Sequence, residues 1–540
     1  MIRLTFQLAG ALLALLISAA DLCAQTTSRR IADLNPGGVG SFPSNFTTFN
    51  GSLYFSAYTF DLGRELWRYD GSTITLVTNI NDTSQDIGGG VFAGNDSLPD
   101  WFTLFNGALY FSAYDQRRGA ELWRYNGTNA IRVTDINPDV NDTIKLFPKS
   151  AWPQELIVFN NALYFSADSG SAFIPNYELW RYNGASASRV ANIHADFGSN
   201  HSSYPTRFNV FNNALYFIAD DGVNGYELWK HSPGGTVLFT NINPGGAGSG
   251  SYPKNLTPFG NALYFQAYDD VHGFELWKTD GTTTLLVTNL NPVDSSYPES
   301  LTVFSNALYF RATDGVTGSE LWKCNGTSVT LAADINPTGD SSPKNFTVFK
   351  NRLYFAADDG IHGWELWSFD GTSASLVADL NPMGDSFPEN LTVWNNHLWF
   401  TATNYAFGYE MWKFDGQTVS LAADIQPGPL SSYPLFLAGF GPEVCFSAND
   451  SPFDDWEPWA IRLNLLRIIA IDHLGSDIRL TWRAMGGTTN IVQSATNITG
   501  TFQNLSTPIY IPGSSETETN YVISGVILTN AARFYRIVQP

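Results

Sequence analysis

Glu275-Leu-Trp-Lys-Thr-Asp-Gly-Thr282, followed by Asn289-Leu-Asn-Pro292, is one copy of a unit that recurs nine times in this 540-residue chain. In outline each unit runs Pro, Leu-Tyr-Phe, Glu-Leu-Trp, Asp/Asn-Gly and Ala-Asp-Ile-Asn-Pro. The tryptophans mark the period: Trp67, Trp123, Trp180, Trp229, Trp277, Trp322, Trp367, Trp412 and Trp459. A period of about 45 residues carrying four short strands is the signature of a radial or stacked repeat architecture.

Spacing inside the unit is nearly rigid. From the proline to the first residue of Leu-Tyr-Phe is ten residues in every unit, from Pro43–Leu53 to Pro434–Val444, where Val444-Cys-Phe446 replaces the usual triplet. The sixth unit shows the four expected strands: 301–304, 307–312, 320–323 and 329–335. All are rich in aromatic and β-branched residues and bounded by turn residues. Asn50-Gly51 and Asn106-Gly107 join first to second strands, and Asp70-Gly71 and Asp280-Gly281 join third to fourth. Both kinds of pair supply the positive φ angles of a two-residue hairpin. The unit therefore reads as a four-stranded antiparallel meander, the blade of a β-propeller.

The chain ends suggest closure. The ninth unit reaches Glu457-Pro-Trp459 without a recognisable fourth strand, and Arg30-Ile-Ala-Asp-Leu-Asn35 offers the missing piece. An N-terminal strand completing the last blade would remove its open edge. The expected fold class is thus all-β, a closed propeller of about nine four-stranded blades over residues 29–464. An open β-solenoid with ragged ends is the competing arrangement.

Glu275–Thr282 and Glu365-Leu-Trp-Ser-Phe-Asp-Gly-Thr372 match the motif of the ELWxxDGT repeat proteins without a mismatch, and the chain resembles that family over roughly residues 29 to 464. The resemblance implies a secreted bacterial repeat protein with a propeller-like fold and no established biochemical activity. Met411 and Pro458 depart from the motif, as does Ser232-Pro-Gly-Gly235 in place of the Asp-Gly turn. Residues 465–540 alternate apolar and polar, as in Ile478-Arg-Leu-Thr-Trp482, and end in Arg533-Phe-Tyr-Arg-Ile-Val538. They resemble a fibronectin-III-like β-sandwich module.

Residues 1–24 read as a secretory signal: Arg3, then an apolar run from Leu8 to Ile17, then a small-residue stop at Ala24. Ten apolar residues are too few to span a bilayer, and no other segment is long enough. The mature chain is expected to be secreted, to the extracellular space, cell surface or periplasm. Cys324 and Cys445 sit at different positions of non-adjacent repeats, so hydrophobic burial must carry the fold. A net charge of −21 argues against nucleic acid and anionic membrane as partners.

No HExxH, CxxC or Gly-x-Ser-x-Gly element is present. The nine Glu-x-Trp pairs read as structural, since a group repeated in every blade suits no single catalytic role. No catalytic residue and no cofactor is expected. Loops such as Asp220-Asp-Gly-Val-Asn-Gly225 are compatible with calcium but lack the alternating oxygen ligands of a recognised site. Length variation concentrates in the fourth-to-first-strand loops of units one to four, from Asn81 to Pro99, Asn137 to Pro153, His194 to Pro205 and Asn243 to Pro253. One insertion on the same face runs from Asp168 to Tyr177. Binding residues favour loops on a rigid scaffold. The candidates there are Asp86, Asp96, Asp100, Trp101, Arg117, Arg118, Trp152 and Tyr204, with Trp101 and Trp152 as stacking platforms. Trp152 also fits a structural position, where other units carry Phe42, Tyr252, Tyr297 or Phe387. The expected function is a non-enzymatic binding platform for a glycan or an extracellular protein. An extracellular polysaccharide-active enzyme and a structural surface or matrix component are the alternatives.

Overall fold

The computed structural model describes residues 2–8, 11–17, 25–37, 39–88, 91–138, 149–170, 175–194, 202–245, 249–452, 454–464, 466–474, 477–485, 489–495, 503–511, 516–523 and 534–538. Among them there is no helix, and nine four-stranded antiparallel sheets stand in a propeller-like arrangement. The first is Ser44–Phe49, Ser52–Thr59, Gly63–Tyr69 and Ile74–Thr78. Ile2–Leu8 and Ala11–Ile17 pair as a separate hairpin.

The expected meander is realised, with one difference in its turns. Phe49 pairs Ser52, so Asn50 and Gly51 form a two-residue hairpin, both with positive φ (45° and 71°). Tyr69 pairs Ile74, so the second turn is a four-residue loop instead. There Asp70 Oδ1 accepts the N–H groups of Ser72 and Thr73, each at 2.8 Å, and only Gly71 takes a positive φ. The aspartate closes the turn through its side chain as well as its backbone, whose N–H donates to Thr73 O at 3.2 Å.

The last sheet draws its fourth strand from the N-terminus. Gln25–Arg30 pairs with Trp456–Asn464, from Gln25 opposite Asn464 to Arg30 opposite Trp459. Ile31 N–H then bonds Pro458 O at 2.8 Å. Leu53, Phe55, Trp67 and Tyr69 of the first sheet share a buried cluster with Cys445 and Ala460 of the ninth. Similar clusters lie between successive sheets, each built from the Leu-Tyr-Phe strand of one and the aromatics of the next. Cys324 and Cys445 are buried free thiols.

Beyond the repeats, Leu466–Leu474, Asp477–Met485 and Glu516–Ile523 form one sheet. Thr489–Ala495 pairs separately with Phe534–Val538. Leu480 and Trp482 of the first share a core with Val492 of the second.

Two deviations recur in every unit and determine what reaches the surface. The strand after each proline carries a bulge near its start, such as that between Ser44 and Thr47. Its second residue has φ between 55° and 62°: Asn45, Trp101, Glu155, Arg207, Asn255, Ser300, Asn345, Asn390 and Phe436. The residue before each proline is also left-handed, with φ between 43° and 49°. Bulges of this kind re-aim side chains.

Candidate functional site

The nine motif glutamates are structural clasps. Each is 0% exposed. Glu365 Oε2 accepts Leu380 N–H at 2.8 Å and the Ser386 hydroxyl at 2.7 Å, joining its strand to the end of the fourth and to the loop beyond. This explains why the fourth strand of the sixth unit stops at Ala333: Ile335 N–H leaves the ladder for Glu320, at 2.7 Å. Burial raises these carboxyls against the opposing pull of their hydrogen bonds, to about 7 for Glu65, Glu365 and Glu410.

Above the clasps the pre-proline residues form a rim. They are Phe42, Leu98, Trp152, Tyr204, Tyr252, Tyr297, Ser342, Phe387 and Tyr433, seven of them aromatic. Each N–H is tied to the previous unit, as Tyr252 N–H to Tyr226 O at 3.0 Å and Tyr297 N–H to Phe274 O at 3.1 Å. The rings lie against aromatics of the previous unit: Tyr204 on Tyr177 at 5.3 Å, Tyr252 on Tyr226 at 6.0 Å, Tyr297 on Phe274 at 5.7 Å and Tyr433 on Tyr409 at 5.6 Å. Tyr252, Tyr297, Phe387 and Tyr433 remain 40–51% exposed. Tyr177, the inner partner of Tyr204, has its hydroxyl pushed up to about 12 by burial, then by Asp168 and Tyr204.

The bulge places a second set of side chains just past this rim. Asp100 and Trp101 lie on a cavity of about 420 Å³ with Asn45, Thr47, Thr103 and Leu156, from the post-proline strands of units one to three. Asp100 Oδ1 accepts the Asn45 amide at 3.0 Å and Trp101 N–H at 2.6 Å. Trp101 is 40% exposed. On the next such strand Glu155 occupies the position equivalent to Trp101, and its Oε2 accepts Arg207 N–H. A second cavity, about 480 Å³, lies among the turns of units five and six, lined by residues including Tyr264, Lys278, Asp280 and Asn325.

The predicted residues therefore divide. Asp100 and Trp101 come together on the cavity. Trp152 and Tyr204 belong to the rim, so the two tryptophans occupy different structural positions although both neighbour a proline. Trp152 stacks on Tyr114 at 6.2 Å. Asp96 accepts Arg64 N–H at 2.6 Å, the task that Asp385 performs for Trp364 and Ser295 for Phe274. Arg117 pairs with Asp82 at 2.9 Å and Arg118 with Asp135 at 3.3 Å. Asp86 lies in the strand Ser84–Gly88, which pairs with Val91–Gly94, but its side chain is outside the described residues. So are residues 139–148, 171–174, 195–201 and 246–248 of the other long loops. Glu155 and Arg207 were not anticipated; their signal was a charged residue two places after the repeat proline. The rim's signal was an aromatic immediately before it.

Asp33, Asp455 and Glu457 could together offer oxygen ligands to a cation. Arg30 already occupies that space, with a guanidinium nitrogen 3.0 Å from Asp33 and another 3.0 Å from Asp455.

No protein-family model matches this chain, and no curated protein matches it in sequence. Solved structures that it resembles include a prolyl endopeptidase, at TM-score 0.37 and 10% identity over 66% of this chain and 55% of that one. Another is the Pyrococcus horikoshii acylaminoacyl peptidase, at TM-score 0.35 and 9% identity over 84% and 58%. A third is the GH74 xyloglucanase from Xanthomonas campestris, at TM-score 0.29 and 12% identity over 82% and 74%. The chain spans little more than half the length of the first of these. Those three proteins are named as hydrolases, whereas the uniformity of the repeats pointed to a non-enzymatic binding platform.

Proposed function

We propose that this chain is an exported hydrolase of polysaccharide that works where Asp100 and Trp101 meet. The observation that carries this reading is the cavity itself. It joins a fixed, exposed carboxylate to a large aromatic face, and the nearest acid on the following post-proline strand, Glu155, precedes the lining residue Leu156 while its own carboxylate accepts Arg207 N–H. Glycoside hydrolysis needs a pair of carboxyl groups flanking the scissile bond, one to protonate the leaving oxygen and one to act on the opposite face of the sugar. Asp100 and Glu155 are the pair assigned to those tasks.

The scaffold in this reading is a closed nine-bladed propeller of the ELWxxDGT repeat type, followed by a fibronectin-III-like sandwich over residues 465–540 and exported by residues 1–24. Closure is supported by the pairing of Gln25–Arg30 with Trp456–Asn464. Tyr69 also reaches across, with its ring 5.6 Å from Phe440 and its hydroxyl 2.8 Å from Glu443.

The test is release of reducing ends from a panel of neutral and acidic plant and algal polysaccharides. Purified protein is expected to release them, and Asp100→Asn or Glu155→Gln to lower the rate at least about 100-fold. Absence of release across the panel would refute the reading.

A further inference from the structure

The rim of pre-proline aromatics is a feature that the fold alone does not require. A left-handed backbone is uncommon for any bulky residue, and a following proline restricts the residue further. Ser342 shows that the geometry is compatible with a small polar side chain, at φ 44°. Yet Tyr252, Tyr297, Phe387 and Tyr433 all carry rings there and leave 40–51% of their surface in solvent. Strain kept at equivalent positions, together with exposed aromatic area, is the pattern of a binding surface.

From this we infer that the rim of units five to nine is a series of stacking subsites for a neutral, extended polysaccharide of pyranose units with equatorial substituents. The inference rests on the hydrolase reading for its substrate and names that substrate's class. The chemistry follows from the rings. The faces of such a sugar present axial C–H groups, apolar and slightly positive, which complement the negative face of an aromatic ring. Tyr226, Phe274 and Tyr409 pack against Tyr252, Tyr297 and Tyr433 from within, which limits the rotamer entropy lost when a sugar docks. Platforms on four of these five units, with Ser342 in the seventh, give a polymer several weak contacts that act together, whereas a monosaccharide gains only one. Anionic polymers are disfavoured by the net charge of −21.

The experiment is affinity electrophoresis of full-length Asp100→Asn protein in gels containing mixed-linkage β-glucan, xylan, glucomannan or, as the anionic comparison, alginate. At least one neutral polymer is expected to retard the protein and alginate is not. Tyr252→Ala with Tyr297→Ala should weaken retardation about tenfold or more, while Tyr252→Phe with Tyr297→Phe should keep it. Unchanged retardation in the alanine pair would overturn the inference, as would equal retardation by alginate or the absence of retardation by any neutral polymer. The two readings fail separately. If wild-type protein releases reducing ends but no gel retards the inactive variant, the rim inference is lost and the hydrolase stands. If the gels behave as expected and wild-type protein releases nothing, the hydrolase is lost and the rim stands.

Discussion

The Thr134 hydroxyl donates to Glu121 Oε2 at 2.7 Å, in the one unit where Ala151 stands in place of the clasp serine. In the other eight, serines 41, 97, 203, 251, 296, 341, 386 and 432 make that bond at 2.5 to 2.8 Å. Thr134 also accepts Leu122 N–H at 3.0 Å, so it serves as donor and acceptor inside the wall. Thr134→Val removes both roles and should destabilise by about 1–3 kcal/mol, the usual cost of an unsatisfied buried group. Adding Ala151→Ser to that variant should recover part of the loss, since the serine would supply the donor found elsewhere. Urea unfolding of the two variants checks this. A double variant no more stable than Thr134→Val would mean the clasp hydroxyl is not what Glu121 needs.

The clasps also give stability a pH dependence. Glu65, Glu365 and Glu410 are raised from 4.5 to about 7, chiefly by burial. An acid whose folded value is raised favours the folded state most fully below its unfolded value, and that contribution is lost as pH rises through the folded value. The melting temperature should therefore fall between about pH 5 and pH 8. Turn aspartates work in the opposite sense, because hydrogen bonds from Ser72 and Thr73 hold Asp70 below its ordinary value. Their contribution is present above about pH 4 and disappears in stronger acid. Thermal denaturation followed by circular dichroism should thus peak near pH 5. Glu410→Gln should flatten part of the neutral slope, and a slope unchanged by it would remove Glu410 as a source.

Arg30 holds the last sheet together. Its guanidinium lies 3.0 Å from Asp33, 3.2 Å from Asp450, 3.0 Å from Asp455 and 3.6 Å from Glu457, which is fully buried. Arg30→Ala leaves these carboxylates facing one another without a cation. The expected loss is about 3 kcal/mol, the lower end for breaking a buried pair, because Arg30 is partly exposed. Early proteolysis near residues 25–37 should accompany it. Full protection there, with stability unchanged, would show that strand pairing alone secures the N-terminus.

The architecture was legible because it depends on short-range signals. Asn50-Gly51 specifies a hairpin wherever it sits, and the pattern pointed to an N-terminal strand for the ninth unit, although the strand that pairs is Gln25–Arg30 and meets the expected Arg30–Asn35 only at Arg30. The site was less legible because its parts come from bulges and cross-unit contacts. Trp101, on the cavity, and Trp152, on the rim, differ locally only in which side of the proline each occupies, and the bulge and the cross-unit contacts give that side its meaning. Asp96 drew notice as a loop acid, but its partner is the Arg64 amide in the preceding sheet, a relation invisible until the loop folds back. The Asp70 turn departs from a two-residue hairpin for a similar reason, since its side chain accepts the Ser72 and Thr73 N–H groups beside the backbone bond from Asp70 N–H to Thr73 O.

Trp101 allows function and packing to be separated by one substitution. Its φ of 59° favours glycine, and a side chain in that region costs about 1–2 kcal/mol. Trp101→Gly relieves this strain but adds about 0.5–1 kcal/mol of unfolded-state entropy. It also gives up the part of the ring that is buried, the ring being 40% exposed. The strain relief offsets much of the other two terms, so stability should change by no more than about 1–2 kcal/mol. The cavity, in contrast, loses the exposed indole beside Asp100 and keeps only the less exposed Phe46 and Phe102 as aromatic lining. Polysaccharide turnover at low substrate should fall at least about tenfold, mainly through KM, because a stacking face binds ground and transition states alike. A packing residue would give the reverse result, a loss of several kcal/mol with turnover per folded molecule unchanged, and would move Trp101 from the site into the scaffold.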